Sequence, residues 1–229
     1  MAANTNDLRR RGWRQMGLSV PLLAAALFAP AGSLRFWQGW LFGCIFVGAS
    51  LAIGTYFLKH DPELVERRMT VGPKAEIEPA QKVIMVVITV GFFLLMVLPG
   101  FDYRWHWSSV PSWLVLVANG FVALSFVIFF VVLKQNSYAA STVRVEAGQP
   151  VISTGAYAIV RHPLYSGALL LLIVTPLALG SNWTLPVVVL LIPVLVWRLI
   201  EEERFLLRNL PGYADYCRRT PYRLIPLLW

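Results

Sequence analysis

The segment Gln149–Gly167, with the sequence QPVISTGAYAIVRHPLYSG, places turn-forming and polar residues just before an apolar stretch. Gly155 permits a tight backbone turn, and Pro163 suits the first turn of a helix because its missing N–H would have no partner there. His162 then lies at a helix entrance, where free backbone N–H groups and the helix dipole favour an anionic or electron-rich group. We predict a binding site here. The alternative is a plain helix cap, with Arg161 reaching lipid headgroups.

A second group of candidate residues lies in Trp197–Leu207, with the sequence WRLIEEERFLL. Counting about 20 residues from Trp183 to cross a bilayer places residues 198–203 at the membrane boundary, where ionisable residues are functional candidates. Arg198 and Glu202 are four residues apart and therefore share a helix face. Three consecutive carboxylates would be repelled by an anionic inner leaflet, so a positively charged ligand is predicted. A salt-bridged helix end is the alternative.

The elements that must position these residues are membrane helices. The chain has 229 residues, of which 57% are hydrophobic and 14% charged, against about 25% charged in a soluble domain. Its apolar residues lie in long runs, which predict an all-α, polytopic membrane helix bundle with about six transmembrane helices. The predicted spans are residues 16–29, 36–58, 83–101, 113–133, 164–179 and 185–200. The first is short and contains Pro21, so a cleaved signal peptide is its alternative interpretation.

The basic residues predict the orientation of this bundle. For six spans, 18 of the 20 Lys and Arg residues fall on one side, leaving Arg35 and Arg104 on the other. That side is predicted to be cytoplasmic, with both termini, in a multi-pass protein of a bacterial inner membrane. The net charge of +8 then reflects topology and anionic headgroups, so no nucleic-acid partner is expected. Cys44 and Cys217 are predicted to form neither a disulfide nor a metal site.

Polar residues concentrate after residue 133, which predicts two regions. Residues 1–133 would contribute four spans on the substrate side, and residues 134–229 two spans, a cytoplasmic tail and the binding pocket. In the basic connection after the second span, Asp61 can cap a helix that starts at Pro62, so a short amphipathic helix on the inner leaflet is predicted. Tyr103, Trp105, Trp107 and Trp183 are predicted interfacial anchors on the outer side.

Three motifs in residues 134–226 carry a family resemblance. TGAYAIVRHPLYSG, RLIEEERFLL and YADYCRRTPYRLIP resemble the isoprenylcysteine carboxyl methyltransferase family and its bacterial and archaeal relatives. The resemblance implies S-adenosyl-L-methionine as the cofactor, in a cytoplasm-facing pocket, and no metal. It implies that Arg198 is catalytic and faces the substrate, with Glu203 as a second substrate-binding candidate. The cofactor-binding residues that it implies are Gln149, Pro150, Val151, Ile152, Tyr157, His162, Pro163, Leu164, Tyr165 and Glu202.

Two departures from the family pattern bear on this site. Ala156 stands where proline is usual, which is expected to loosen the loop without removing a side-chain contact. Residues 210–212 read Leu-Pro-Gly where Phe-Gly and an acidic pair are usual, which puts the geometry of the closing tail in question more than the cofactor site.

The leading hypothesis is methyl transfer to a lipophilic acceptor that enters from the bilayer, a carboxylate on a prenylated or other lipid-like molecule. A carboxylate is already ionised and needs no base, and Arg198 would hold it through paired hydrogen bonds. An amine acceptor, as in a phospholipid amine N-methyltransferase, would need His162 or Glu203 as a base. An NADPH-dependent membrane reductase would need a basic pocket, whereas residues 201–203 are acidic. A non-enzymatic channel or scaffold is the remaining class.

The expected partners are membrane lipids and the lipophilic substrate, and the expected oligomeric state is a monomer or weak oligomer.

Overall fold

The computed structural model describes residues 5–69, 71–76 and 78–229, and within these ranges the chain is helical and has no β-strand. The all-α prediction is therefore confirmed for the described residues. A 3₁₀ turn at Pro73–Ala75 precedes the fourth helix. The helices are α1 (Thr5–Ala31), α2 (Trp37–His60), α3 (Pro62–Met69), α4 (Pro79–Trp105), α5 (Ser112–Gln135), α6 (Ala156–Ile159), α7 (Pro163–Ala178), α8 (Leu185–Asn209) and α9 (Tyr213–Arg219).

Three of the long helices, α2, α4 and α5, are long and apolar enough to cross a membrane. The other predicted spans form helices of a different character. α1 has 27 residues and includes the basic cluster near its start, α7 has only 16 residues, and α8 continues past its apolar part into the charged segment. The structure thus supports an integral membrane protein, while six crossings stay a prediction.

Small residues bring neighbouring helices into close contact. A Cβ added at Gly167 of α7 would lie 2.8 Å from Phe129 of α5, and one at Gly91 of α4 would lie 2.4 Å from Leu191 of α8. Glycine at such contacts lets two helix backbones approach closely, as is typical of membrane bundles. The start of α7 and the end of α8, which carry the candidate residues, are therefore held on closely packed helices.

The connection between α2 and α4 packs against the loop that follows α5. Its short helix α3 begins as predicted, because the Leu64 N–H donates to Asp61 Oδ1 at 3.0 Å. Further along α3, Arg67 donates to both carboxylate oxygens of Glu146 at 2.9 and 3.0 Å and to the Ser137 carbonyl at 3.1 Å. These bonds bring the N-terminal half of the chain to the candidate site.

The opposite end of the bundle is aromatic and polar. Trp105, Trp107 and Trp183 are exposed, with neighbouring ring centroids 5.0 and 6.0 Å apart. Beneath them the buried Asp102 accepts hydrogen bonds from the hydroxyls of Ser108 at 2.6 Å and Ser181 at 2.5 Å. The predicted anchors thus lie together at one end of the bundle, away from the start of α7, and their depth in a bilayer stays a prediction.

Candidate functional site

A cavity of about 380 Å³ lies where α5 ends and α7 begins. Its volume falls within the range of sites that bind small molecules. The residues predicted to bind a cofactor, and Arg198, all line it, whereas Glu203 does not. The lining residues from the prediction are Gln149, Pro150, Val151, Ile152, Tyr157, His162, Pro163, Leu164, Tyr165, Arg198 and Glu202.

The loop before α6 makes a tight turn against the end of α5. Gly155 has a φ of +60°, and a Cβ there would lie 2.6 Å from the side chain of Gln135. The Ala156 N–H donates to Gln135 Oε1 at 2.9 Å. Proline has no N–H and cannot make this bond. Ala156, which stands where the family usually has proline, therefore adds a hydrogen bond between the loop and α5. The sequence did not predict this bond.

Tyr157 forms one wall of the cavity and is fixed at both ends. Its hydroxyl accepts a hydrogen bond from Asn136 Nδ2 at 3.0 Å, and its carbonyl accepts one from the Tyr216 hydroxyl at 2.7 Å. Burial raises the pKa of Tyr157, and the negative charge of Glu202 adds to the shift, while the Asn136 bond opposes it. Tyr157 therefore presents a neutral phenol to the cavity.

The C-terminal tail closes over the start of α7. The main-chain N–H groups of Arg161 and His162 donate to the carbonyls of Tyr222 at 2.9 Å and Arg223 at 3.0 Å. The Ser166 hydroxyl donates to the Leu224 carbonyl at 2.6 Å. The Leu-Pro-Gly segment, the second departure from the family pattern, turns at Gly212 with a φ of +83° and leads into α9. Two side chains of α9, Tyr213 and Tyr216, line the cavity.

Glu203 lies beneath this tail and is surrounded by basic side chains. Its carboxylate accepts from Arg223 Nε at 2.7 Å, lies 3.1 Å from Arg161 Nε and lies 3.7 Å from His162 Nε2. Burial acts to raise the pKa of Glu203, but the neighbouring His162, Arg223 and Arg161 side chains outweigh it and lower the pKa to about 2. This position differs from the predicted contact with a substrate. Glu203 fixes the tail to α7 and α8 instead.

Arg198 is buried and bonded on several sides. Its Nε donates to the Tyr165 hydroxyl at 3.1 Å, and its Nη1 donates to Gln81 Oε1 at 3.0 Å. Its Nη2 donates to Glu76 Oε1 and to the Ser141 carbonyl, both at 2.9 Å. A guanidinium has five N–H donors, so little capacity is left for the predicted pair of hydrogen bonds to a substrate carboxylate. Such a pair requires that one protein acceptor give way.

Arg198 and Glu202 interact only indirectly, which differs from the salt-bridged helix end of the alternative interpretation. The Tyr165 hydroxyl donates to Glu202 Oε2 at 2.5 Å and accepts from Arg198, so the phenol lies between the two charges. Among the described residues, no basic side chain forms a salt bridge with the Glu202 carboxylate. Glu202 therefore keeps its negative charge available to the cavity.

Comparison with known proteins assigns the segment that carries most of this site. Residues 113–208 match the family described as isoprenylcysteine carboxyl methyltransferase (ICMT). The match covers 96 of the 229 residues, which is less than half of the chain. The matched residues run from the first turn of α5 almost to the end of α8. The match and the apolar helices support an integral membrane protein with a segment that is similar to a methyltransferase family.

A sterol reductase is also similar to part of this chain. The delta(14)-sterol reductase TM7SF2 of Mus musculus is 31% identical over 91 residues, which are 38% of this chain. The match spans 22% of the relative. The chain therefore covers about a fifth of the length of that reductase, and the likeness concerns a shared segment.

The ICMT-family segment does not complete the cavity by itself. Arg68 of α3 and the apolar side chains of Val71, Met85 and Ile88 also line it. The cavity, which was predicted to be formed by the C-terminal half, therefore also takes lining residues from the N-terminal half. Sequence reasoning also missed two of the partners of Arg198, Glu76 and Gln81. The connection between α2 and α4 contains five acidic residues, so the sequence alone does not single out Glu76.

Proposed function

We propose that this protein is an S-adenosyl-L-methionine-dependent membrane methyltransferase that acts on a lipophilic acceptor, a carboxylate on a prenylated or other lipid-like molecule. One observation carries the proposal: the ICMT-family segment forms most of the wall of a cavity in which Glu202 has no basic partner among the described residues. A carboxylate in such a partly enclosed place attracts a positively charged ligand strongly, because the surrounding dielectric is low.

The donor site fits this cofactor by its chemistry. S-adenosyl-L-methionine, when bound, supplies an electrophilic methyl group on a positively charged sulfur. The Glu202 carboxylate and the electron-rich faces of Tyr157 and Tyr165 suit a cation at this place. Tyr157 is held by Asn136 and Tyr216, so this wall is rigid before any ligand binds.

The acceptor side is apolar. Met85 and Ile88 of α4, Ala168 of α7 and Leu195 of α8 line the cavity on the side of the long helices. A lipid-like tail would bury its surface against these side chains, with its carboxylate at the polar end near Arg198. A carboxylate acceptor is ionised at neutral pH, so the protein need only align the reactants and exclude water.

Two alternatives keep a specific observation in their favour. An NADPH-dependent reductase is favoured by the likeness to the sterol reductase and by four arginines along the cavity, Arg68, Arg144, Arg161 and Arg198.

A phospholipid amine N-methyltransferase would use S-adenosyl-L-methionine as its donor and an apolar acceptor side. Its base would be His162, which lies in the cavity wall beside Tyr213.

The test is a titration of the purified full chain in detergent with S-adenosylhomocysteine and with NADPH. We expect saturable binding of the first and none of the second, and the reverse result would transfer the proposal to the reductase. Transfer of labelled methyl to an isoprenylated cysteine or to phosphatidylethanolamine then separates the acceptors. Alkali releases the label from an ester as methanol and leaves a methylamine intact, so a base-stable product would refute carboxyl methylation.

A further inference from the structure

Four arginines line the cavity, and they differ in how their charge is balanced. Arg198 Nη2 lies 2.9 Å from a Glu76 oxygen, Arg161 Nε lies 3.1 Å from a Glu203 oxygen, and Arg144 Nη2 lies 3.4 Å from a Glu146 oxygen. All 12 Asp and Glu residues of the chain lie in the part that the structure describes. None of them forms a salt bridge with the fourth arginine, Arg68.

Arg68 is held in place by the main chain around it. Its Nη1 donates to the Ala139 carbonyl at 3.2 Å, and its own carbonyl accepts from the Ser141 hydroxyl at 3.0 Å. Its side chain is partly buried and faces the cavity. Burial lowers the pKa of Arg68, and the nearby Tyr157 phenol opposes that shift. A guanidinium nevertheless stays protonated in proteins, so this is a desolvated cation bonded to one neutral oxygen. An unpaired charge in such a place is costly unless a ligand balances it.

The geometry points to Arg68 as the residue that binds a carboxylate of the ligand in this cavity. The inference rests on the proposed function, because the donor and the acceptor proposed there each carry a carboxylate. The amino-acid end of the donor is the favoured source, since it also carries an ammonium. Glu202, the carboxylate without a basic partner, lines the same cavity, and its charge and that of Arg68 both act on Tyr157. One free cation and one free anion in one wall complement a zwitterion.

Two probes that differ only in the amino-acid end test this inference on the full chain in detergent. S-adenosylhomocysteine carries the carboxylate and the ammonium, whereas 5′-methylthioadenosine keeps the nucleoside and the thioether and lacks both. We expect Arg68→Met to weaken S-adenosylhomocysteine roughly 10- to 100-fold, the usual loss of a hydrogen bond to a charged group. Binding of 5′-methylthioadenosine should stay within about twofold, which also shows that the cavity is intact. Arg68→Lys should restore part of the loss.

Arg204→Met is the matched control, because Arg204 is exposed on α8, pairs with Glu201 and does not line the cavity. If Arg68 holds the carboxylate of the acceptor instead, both probes bind normally. The KM of an isoprenylated cysteine then rises in Arg68→Met, while the Ki of its carboxamide, which cannot accept the methyl group and binds only as a competitive inhibitor, does not. Equal weakening of both probes, or no change in either together with an unchanged acceptor KM, would overturn the inference. A wild-type chain that binds no S-adenosylhomocysteine would instead refute the proposed function.

Discussion

Replacing Glu76 by glutamine tests whether the connection before α4 orients Arg198, the predicted catalytic residue. Glu76 is buried and accepts from Arg198 Nη2 at 2.9 Å through one oxygen and from the Val143 N–H at 3.1 Å through the other. Glutamine keeps only one acceptor oxygen, so its amino group must face one of these two donors. The variant therefore loses one hydrogen bond and the ionic part of the other. Hydrogen bonds to charged groups contribute about 1.5–3 kcal/mol each.

We therefore expect Glu76→Gln to lower the free energy of unfolding by about 2–4 kcal/mol. A displaced Arg198 should also reduce kcat for methyl transfer by roughly 10-fold or more, because small misplacements are costly in an aligned displacement. The affinity for S-adenosylhomocysteine should change little, since Glu76 does not line the cavity. The measurements are thermal unfolding in detergent followed by tryptophan fluorescence, initial rates and a cofactor titration.

The matched control is Glu78→Gln, which removes the same charge two residues away at the start of α4, where the side chain caps no N–H. It should unfold and turn over like the wild type. If Glu76→Gln unfolds at the temperature of Glu78→Gln and keeps its kcat, then the contact with Arg198 neither stabilises the fold nor orients the arginine, and the reasoning is refuted.

Three further predictions concern the loop, the acceptor side and the tail. Gly155→Ala should destabilise the protein by about 1–3 kcal/mol, because Gly155 has a positive φ and an added Cβ would collide with Gln135. The control is Gly148→Ala, which also lies at positive φ but in open space and should destabilise the protein less in the same unfolding assay. Equal losses of stability would rule out the collision. Ala168→Leu, in the apolar wall, should raise the acceptor KM about 10-fold and leave S-adenosylhomocysteine binding unchanged, so an unchanged KM would remove this wall from the acceptor path. Glu203, with its pKa lowered to about 2, should contribute up to about 3 kcal/mol to the free energy of unfolding. This contribution is fully present above about pH 4.5 and is lost as the pH falls towards 2. The unfolding of Glu203→Gln should lack this part of the acid dependence, and acid profiles identical to those of the wild type would contradict the prediction.

The sequence predicted those parts of the site that depend on local patterns. Asp61 and Pro62 start a helix where capping chemistry places one, and Pro163 opens α7 with His162 before it. Gly155 takes the positive φ that its position in the turn suggested. These features follow from a few consecutive residues and the backbone geometry that they permit.

The contacts that the sequence did not predict join distant parts of the chain. Helical spacing is visible in a sequence, so the carboxylates of the same helix were the alternative partners considered for Arg198. Its partners Glu76 and Gln81 lie 122 and 117 residues away, and no periodicity links them. Glu203 was predicted to contact the substrate and to be a candidate base, yet successive residues on a helix face different directions. One carboxylate therefore lines the cavity, and the next lies beneath the tail.

The bonds around Arg198 also limit how this protein can be divided or recombined. Gln81 accepts from the Arg198 side chain and donates to the Arg198 main-chain carbonyl at 3.3 Å. A single residue of α4 therefore bonds both the side chain and the main chain of Arg198 in α8. A chimera whose N-terminal half lacks Glu76 and Gln81 would keep this arginine and its bonds to Tyr165 and Ser141, but would remove its carboxylate and amide acceptors. To exchange acceptor specificity between relatives, the cavity-lining residues of α4 should therefore be replaced while Gln81 and Glu76 are retained. Joining the N-terminal half of one relative to the C-terminal half of another should be avoided.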